Sequence, residues 1–193
     1  PRYAHMPLIF NMEGAKMSKR ERDQAARKAC KDANITTSPT PALDQATFTD
    51  WLNDKTRQLP PEQLEPLAAA LGLQLPEVTV NDFRRAGYLP EVIINFISLL
   101  GWSPPPEAGE NVEKFDLDFL VKWFDLSRIG KTNARFDRKK LLAFNTDAIT
   151  AMSDEEFARR WREWCEAHAP QIVRHISPEA FSTLAGAVRP RSK

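Results

Sequence analysis

Cysteine is nearly absent: the 193 residues contain only Cys30 and Cys165. Two thiols so far apart form neither a disulfide framework nor a zinc-site spacing, and they suit a reducing compartment. Histidine is as scarce. His5, His168 and His175 are isolated, and no group of His, Cys and acidic residues has metal-ligand spacing, so no metal site is expected. The seven glycines form no glycine-rich phosphate loop of either common pattern. No Ser–His–Asp set can be assigned without geometry. No apolar run approaches the roughly 18–20 residues that cross a bilayer, and the start lacks a signal-peptide pattern. The expectation is therefore a cytoplasmic protein without a membrane partner.

What is present is enough apolar material for a packed core, 42% of the residues, in one large domain or two small ones. The formal charge is only +1, but it is unevenly spread. Residues 1–33 carry 8 basic and 4 acidic groups, residues 34–80 carry 2 and 6, residues 81–119 carry 3 and 7, and residues 120–193 carry 14 and 9. A nearly neutral total can thus hide a local nucleic-acid footprint.

The most specific string is Lys16-Met17-Ser18-Lys19-Arg20, behind the polar turn Met12-Glu13-Gly14-Ala15. Two lysines flank a small hydroxyl residue and an arginine follows, a set that can close over phosphates. Lysine ammoniums are mobile point charges that can follow phosphate oxygens. They act most strongly on charge that builds in a transition state. Ser18 adds a hydroxyl donor, and a helix just after it would add backbone N–H groups. The alternative is a solvated basic helix with no ligand.

Helices are expected over about 19–33, 44–57, 61–71, 79–86 and 90–100, with a short one near 117–124. Residues 3–10 read as an extended approach segment, because Pro7 argues against a central strand. The pieces at 44–57 and 61–71 look like a helical hairpin without obvious chemistry. The 90–100 helix is apolar around most of its circumference and reads as a core helix. Ser103-Pro104-Pro105-Pro106 reads as an exposed, stiff connector.

Residues 128–140 hold Arg128, Lys131, Arg135, Arg138, Lys139 and Lys140 against the single acid Asp137. A helix over about 136–149, anchored by Phe136, Leu141, Leu142 and Phe144, would hold these cations for backbone phosphates without reading bases. A solvated charged face is the alternative, and Asn133 and Asn145 read as caps or turn fillers. Ser153 and Glu156 have capping-box spacing, and Met152 with Phe157 that of a hydrophobic staple. Phe157, Trp161, Trp164 and His168 follow one face, which suits a core contact better than base stacking. Arg159, Arg160 and Arg162 are the fallback cations. Ser177-Pro178 starts a last helix, and Arg189-Pro190-Arg191-Ser192-Lys193 reads as a nonhelical tail.

The order of these motifs resembles a bacterial-type glutamyl-tRNA synthetase, a class I aminoacyl-tRNA synthetase. The resemblance rests on His5-Met6-Pro7-Leu8-Ile9, Lys16-Met17-Ser18-Lys19-Arg20, Ala86-Gly87-Tyr88-Leu89-Pro90-Glu91, Asn95-Phe96 and Leu99-Leu100-Gly101-Trp102-Ser103. It continues through Phe124-Asp125-Leu126-Ser127-Arg128-Ile129-Gly130-Lys131, Phe136-Asp137-Arg138-Lys139-Lys140-Leu141 and Asn145. The related glutaminyl enzyme shares the first basic motif and fits the later blocks less well.

The resemblance implies a mainly α chain. It would comprise the end of a class I nucleotide-binding catalytic domain, a helical stem-contact region and the start of a helical anticodon-binding region. The implied divisions are 1–22 for the catalytic edge with its ATP-phosphate loop, 23–83 for a helical insertion or atypical connector, 84–150 for the stem-contact region and 151–193 for a partial anticodon-binding region. Lys16 and Lys19 would be catalytic, with Lys16, Ser18, Lys19 and Arg20 at the ATP phosphates. Arg128, Lys131, Arg135, Arg138, Lys139 and Lys140 would contact tRNA(Glu). Glutamate, ATP and Mg2+ belong to the full enzyme, and a monomer is expected. Two departures stand out. Roughly 50 extra residues lie within 23–80, and the upstream nucleotide-binding signature and amino-acid pocket are absent. The expectation is a catalytically incomplete piece of a glutamate–tRNA ligase. The alternatives are a noncatalytic nucleic-acid-binding module or a helical adaptor derived from a synthetase.

Overall fold

Residues 20–32 contain neither glycine nor proline, and in the computed structural model they form α1 (Arg20–Asp32). The structure describes residues 3–191; the expectations for Pro1, Arg2, Ser192 and Lys193 lie outside the described residues. The fold is mainly α, and the chain divides into two units. One is residues 17–83, here the helical unit. The other, the ribbon unit, comprises the described residues of 1–16 and 84–193.

In the helical unit α1 buries Asp23, Ala26, Arg27 and Cys30, which recur at the spacing of one helix face. Against this face pack α2 (Gln45–Asn53), with Phe48 and Trp51, and α3 (Pro61–Ala70), with Leu64 and Leu67. Asp44 caps α2 by accepting the Thr47 N–H at 2.9 Å. The helix stops at Asn53 rather than near 57, because the Asp54 carboxylate takes the Thr56 N–H at 2.8 Å and its hydroxyl at 2.6 Å, forming a local turn. After α3, Gly72 takes φ +61°, a left-handed stop that suits glycine. The two pieces read as a hairpin without chemistry therefore close on α1. Buried polar groups tie the three together. Trp51 Nε1 and the Leu59 N–H donate to Asp23 Oδ1 at 2.7 and 2.9 Å. Arg27 donates to the carbonyls of Trp51, at 2.8 Å, and Arg57, and its guanidinium lies 4.7 Å from the Trp51 ring centroid. Arg22 reaches Glu65 and Asp82, each at 3.3 Å; Asp82 comes from α4 (Val80–Arg85).

The ribbon unit holds the only sheet among the described residues, β1 (Ile9–Phe10) parallel to β2 (Ala134–Arg135). Around it lie α5 (Pro90–Leu99), α6 (Leu117–Trp123) and α7 (Arg138–Ala151). Phe96 of α5 meets Phe136 and Phe144 edge-on, with centroids 5.0 and 6.3 Å apart. α5 buries Val92, Asn95 and Phe96 but leaves Ile94 and Ile97 40% and 46% exposed. It is a one-faced helix, not the wholly buried one its composition suggests. Asn95 explains part of the difference: its amide donates to the Glu113 carbonyl at 3.0 Å and accepts the Phe115 N–H at 3.3 Å, so one buried position serves a loop. α7 begins at Arg138 rather than near 136, because residues 134–135 are committed to the ribbon and Asp137 caps the N–H groups of Lys139 and Lys140.

α8 (Asp154–His168), α9 (Pro170–Val173) and α10 (Pro178–Val188) complete the unit. Ser153 Oγ accepts the Glu156 N–H at 3.1 Å, and Met152 and Phe157 share the apolar cluster below. The return half of the capping box is diverted: the Glu156 carboxylate binds Arg159 and Arg160 instead. The tail read as nonhelical is a 3-10 turn over Arg189–Arg191. Arg189 holds it by donating to the Asp154 carboxylate and the Met152 carbonyl.

Candidate functional site

The segment Asn11–Ala15 forms a closed loop at the end of β1. Asn11 N–H donates to the Ala15 carbonyl at 2.8 Å, the Asn11 side chain accepts the Ala15 N–H at 2.8 Å, and Gly14 N–H returns to the Asn11 carbonyl at 3.1 Å. Gly14 sits at φ +81°, which glycine adopts without strain. The loop delivers Lys16 into an antiparallel bridge with Phe10. Lys16 is exposed. Ser18, Lys19 and Arg20 belong to the helical unit, where the Ser18 carbonyl accepts the Glu21 N–H at 3.0 Å and Lys19 is the backbone N-cap of α1. Ser18 is half-buried, and Lys19 and Arg20 are exposed. The unit boundary thus falls inside the five-residue cluster, after Lys16.

Phe10 has a second partner. Its β2 register mate is Arg135, and the flanking bonds run from Ala134 N–H to the Leu8 carbonyl at 3.3 Å and from Phe136 N–H to the Phe10 carbonyl at 2.7 Å. The structure therefore brings together Lys16 and Arg135, one from each basic set, on either side of one residue. The other cations of the segment divide into two kinds. Lys131, Arg135 and Lys139 are exposed and form no ion pair among the described residues. Arg128 donates to the carbonyls of Ser103 and Pro104, both at 3.0 Å. Lys140 binds Glu113 at 2.6 Å and lies 5.6 Å from the Phe144 ring centroid. Arg138 lies 5.7 Å from the Phe136 ring centroid. Phe136, Leu141 and Phe144 are buried as anchors, whereas Leu142 is 51% exposed.

No family model matches the chain. A glutamate–tRNA ligase of Bacteroides fragilis is 32% identical over 160 residues, 82% of this chain and 23% of the relative. One from Symbiobacterium thermophilum is 47% identical over 83 residues, 42% of this chain and 17% of the relative. The chain is a relative of the glutamate–tRNA ligases. A third ligase, from Parabacteroides distasonis, is 28% identical over 190 residues, 97% of this chain and 29% of the relative. The chain spans about a quarter of the length of the curated relatives it matches.

Several of the later motifs on which the resemblance rests meet one another in the ribbon unit. Gly130 N–H donates to the Gly101 carbonyl at 2.7 Å, and Trp102 bridges to Ile129. Asn145, read from sequence as a cap or turn filler, is buried. Its side chain accepts the Leu89 N–H at 2.9 Å and donates to the Gly87 carbonyl at 3.4 Å, holding the Gly-Tyr-Leu-Pro turn. Neither Asn145 nor Asn11 stands out by spacing; the Asn-x-x-Gly turn pattern at 11–14 is the one readable signal.

The fallback cations do not face solvent unpaired. Arg159 binds Glu156 and Glu163, Arg160 binds Glu156 and Glu91, and Arg162 binds Glu166. Hydrogen bonds from Arg160 and Arg159 hold the Glu156 carboxyl below its ordinary pKa. The aromatic stripe is a packing face: Trp161 lies 6.2 Å from Phe157 and 4.8 Å from Phe181 between centroids, and Trp164 Nε1 donates to the Arg84 carbonyl at 3.1 Å. Cys30 and Cys165 are free and buried, and burial pushes both thiols up. Among the described residues no three His, Cys, Asp or Glu side chains gather as a metal site, and no helix is long and apolar enough to cross a membrane.

Proposed function

We propose that this chain is a catalytically incomplete part of a glutamate–tRNA ligase that contacts tRNA(Glu). The observation that carries the reading is the 32% identity to such a ligase over 82% of the chain, with only 23% of that ligase covered. In the whole enzyme a glutamate carboxylate oxygen attacks the α-phosphorus of ATP. The bond to the β-phosphate oxygen breaks, pyrophosphate leaves, and glutamyl-adenylate remains. A hydroxyl of the terminal tRNA adenosine then attacks the adenylate carbonyl and AMP leaves.

In this reading Lys16 and Lys19 stabilise negative charge on the departing phosphates, while Ser18 and Arg20 complete the ATP contact. The exposure of both lysines supports that role. Mg2+, implied by the resemblance, finds no group of three His, Cys, Asp or Glu side chains to hold it among the described residues. The basic segment Arg128–Lys140 contacts tRNA phosphates. Lys131, Arg135 and Lys139 make the direct contacts, while Arg128, Arg138 and Lys140 also hold the platform. We assign 1–22 to the edge of the catalytic domain, 23–83 to a helical insertion or atypical connector, 84–150 to stem contact and 151–193 to a partial anticodon-binding region. The protein is a cytoplasmic monomer.

The test has two arms. The purified chain, given glutamate, ATP and tRNA(Glu), is expected to bind tRNA in a salt-dependent way and to form no glutamyl-adenylate. Robust adenylate formation by the 193 residues would overturn the incompleteness, and salt-independent tRNA affinity would overturn the phosphate contact. In the longer protein that carries this chain, Lys19→Ala should slow ATP–pyrophosphate exchange with little change in glutamate binding.

A further inference from the structure

Lys16 and Arg135 are far apart in sequence and belong to different basic sets, yet they flank the same residue. Phe10 is paired antiparallel with Lys16 and in parallel register with Arg135. Residues directly paired across a sheet direct their side chains to the same face. The two cations therefore rise from one face of a three-segment ribbon with Phe10 between them. Adjacent segments are about 4.8 Å apart, so the outer backbones stand roughly 10 Å apart, a gap that two long side chains can close on one oxyanion.

Neither cation has an ion-pair partner among the described residues, in contrast to Arg159, Arg160 and Arg162 of α8. The acid next in sequence to Arg135, Asp137, is occupied as the α7 cap. Glu13 lies at the tip of the Asn11–Ala15 loop. Backbone hydrogen bonds hold the ribbon, among them those at 3.3 and 2.7 Å across to β2 and at 2.8 Å in the loop closure. The spacing of the pair is thus set by main chain rather than by the mobile side chains themselves. Fixing two cationic groups before the ligand arrives reduces the ordering penalty of a two-point contact.

We propose that Lys16 and Arg135 form a single phosphate clasp, binding one phosphate of a nucleotide polyphosphate or of a nucleic-acid backbone between them. This rests on the reading of both residues as phosphate contacts and adds that they act as one site. The clasp links the loop that handles ATP to the segment that handles tRNA.

The experiment is a double-mutant cycle on the 193-residue chain, with Lys16→Gln, Arg135→Gln and the double variant. One arm titrates inorganic tripolyphosphate and the other a single-stranded RNA oligonucleotide, each over a series of salt concentrations. Each single variant is expected to bind about tenfold more weakly. The double variant should bind only slightly more weakly than either single, because removing one jaw already opens the clasp. Its RNA salt slope should fall by the value of one phosphate, about 0.7, and not of two. Coupling with tripolyphosphate alone identifies a nucleotide chain as the ligand, and coupling with RNA alone identifies a nucleic-acid backbone. Losses that multiply, or a slope that falls by the value of two phosphates, would overturn the clasp while leaving both residues as independent phosphate contacts. If neither variant changes either affinity, the clasp and the phosphate role of these two residues both fail. Circular dichroism of each variant guards against loss of fold, and Arg135→Lys, which retains the charge, should recover part of the affinity.

Discussion

Two arginines of α1 in the helical unit and the arginine of β2 in the ribbon unit meet opposite surroundings. In the helical unit Arg22 and Arg27 point inward or along the surface to carboxylates and carbonyls, and Arg27 is sandwiched against the Trp51 ring. In the ribbon unit Arg135, with Lys16, Lys131 and Lys139, extends to solvent without an ion pair among the described residues. The difference is one of neighbours and not of residue type. A guanidinium bonded to two carbonyls and lying over an indole ring serves packing; an exposed one on a two-residue strand is left to solvent or a ligand anion. A basic count along the sequence treats the two alike.

The contrast is tested hardest at Trp51. Trp51→Ala removes a fully buried ring and leaves the Asp23 carboxylate short of a donor. It should cost about 3–5 kcal/mol, read as a drop in the urea midpoint of the transition that reports on residues 17–83. A loss below about 1 kcal/mol would mean that the buried network does not hold the three helices. Next in size, replacing Lys131, Arg135 and Lys139 together by Gln should weaken RNA binding by roughly tenfold or more. The salt slope should fall by about 0.7 for each phosphate of a single strand that the protein no longer engages. Unchanged affinity and slope would turn the ribbon-unit cations into a solvated face.

Acid probes the same contrast from the structural side. Burial alone pushes the Asp82 carboxyl up, but the N–H groups of Thr79 and Val78, the Thr79 hydroxyl and Arg22 outweigh it and hold it below the ordinary value. Its folded pKa is depressed, so its contribution is complete above the unfolded carboxylate value of about 4 and disappears as pH falls through the lower folded value. Asp82→Asn should therefore be less stable than the parent at about pH 7, and the gap should close on acidification toward about pH 2. A gap that is constant with pH would show that Asp82 acts by shape and not by charge. The smallest effect belongs to Arg159→Ala and Arg162→Ala. Both cations are already paired with glutamates on their own helix, so RNA affinity should stay unchanged in a binding titration; a loss as large as that of Lys139→Ala would place the interface on α8 instead.

Local grammar is readable wherever a short stretch decides its own conformation. Ser153 capping the Glu156 N–H, Gly72 ending α3 and Pro178 opening α10 all follow from dihedral preference and the unsatisfied N–H groups of a helix start. The sequence pattern starts the helix over 136–149 two residues early because Ala134–Arg135 pair with a strand more than a hundred residues away, and two-residue strands carry no hydrophobic period to reveal them. Residues 44–71 are readable as helices but not as partners of α1. Asp23, Arg27 and Trp51 each look ordinary in sequence, and their burial in one network exists only after the helices meet.

The order of motifs from His5 through Asn145 is enough to mark the likeness to glutamate–tRNA ligases, because several separate strings in one order are specific without any geometry. The same residues also set which side chains can carry positive charge and where helices begin. Folding then selects which of those charges remain available. Arg128 turns to the Ser103 and Pro104 carbonyls, Lys140 to Glu113 and Arg160 to Glu91, while Lys16 and Arg135 come to flank Phe10. The physical reason is that a cation's availability depends on the carbonyls and carboxylates within hydrogen-bond reach, and those neighbours come from distant segments that only folding brings together.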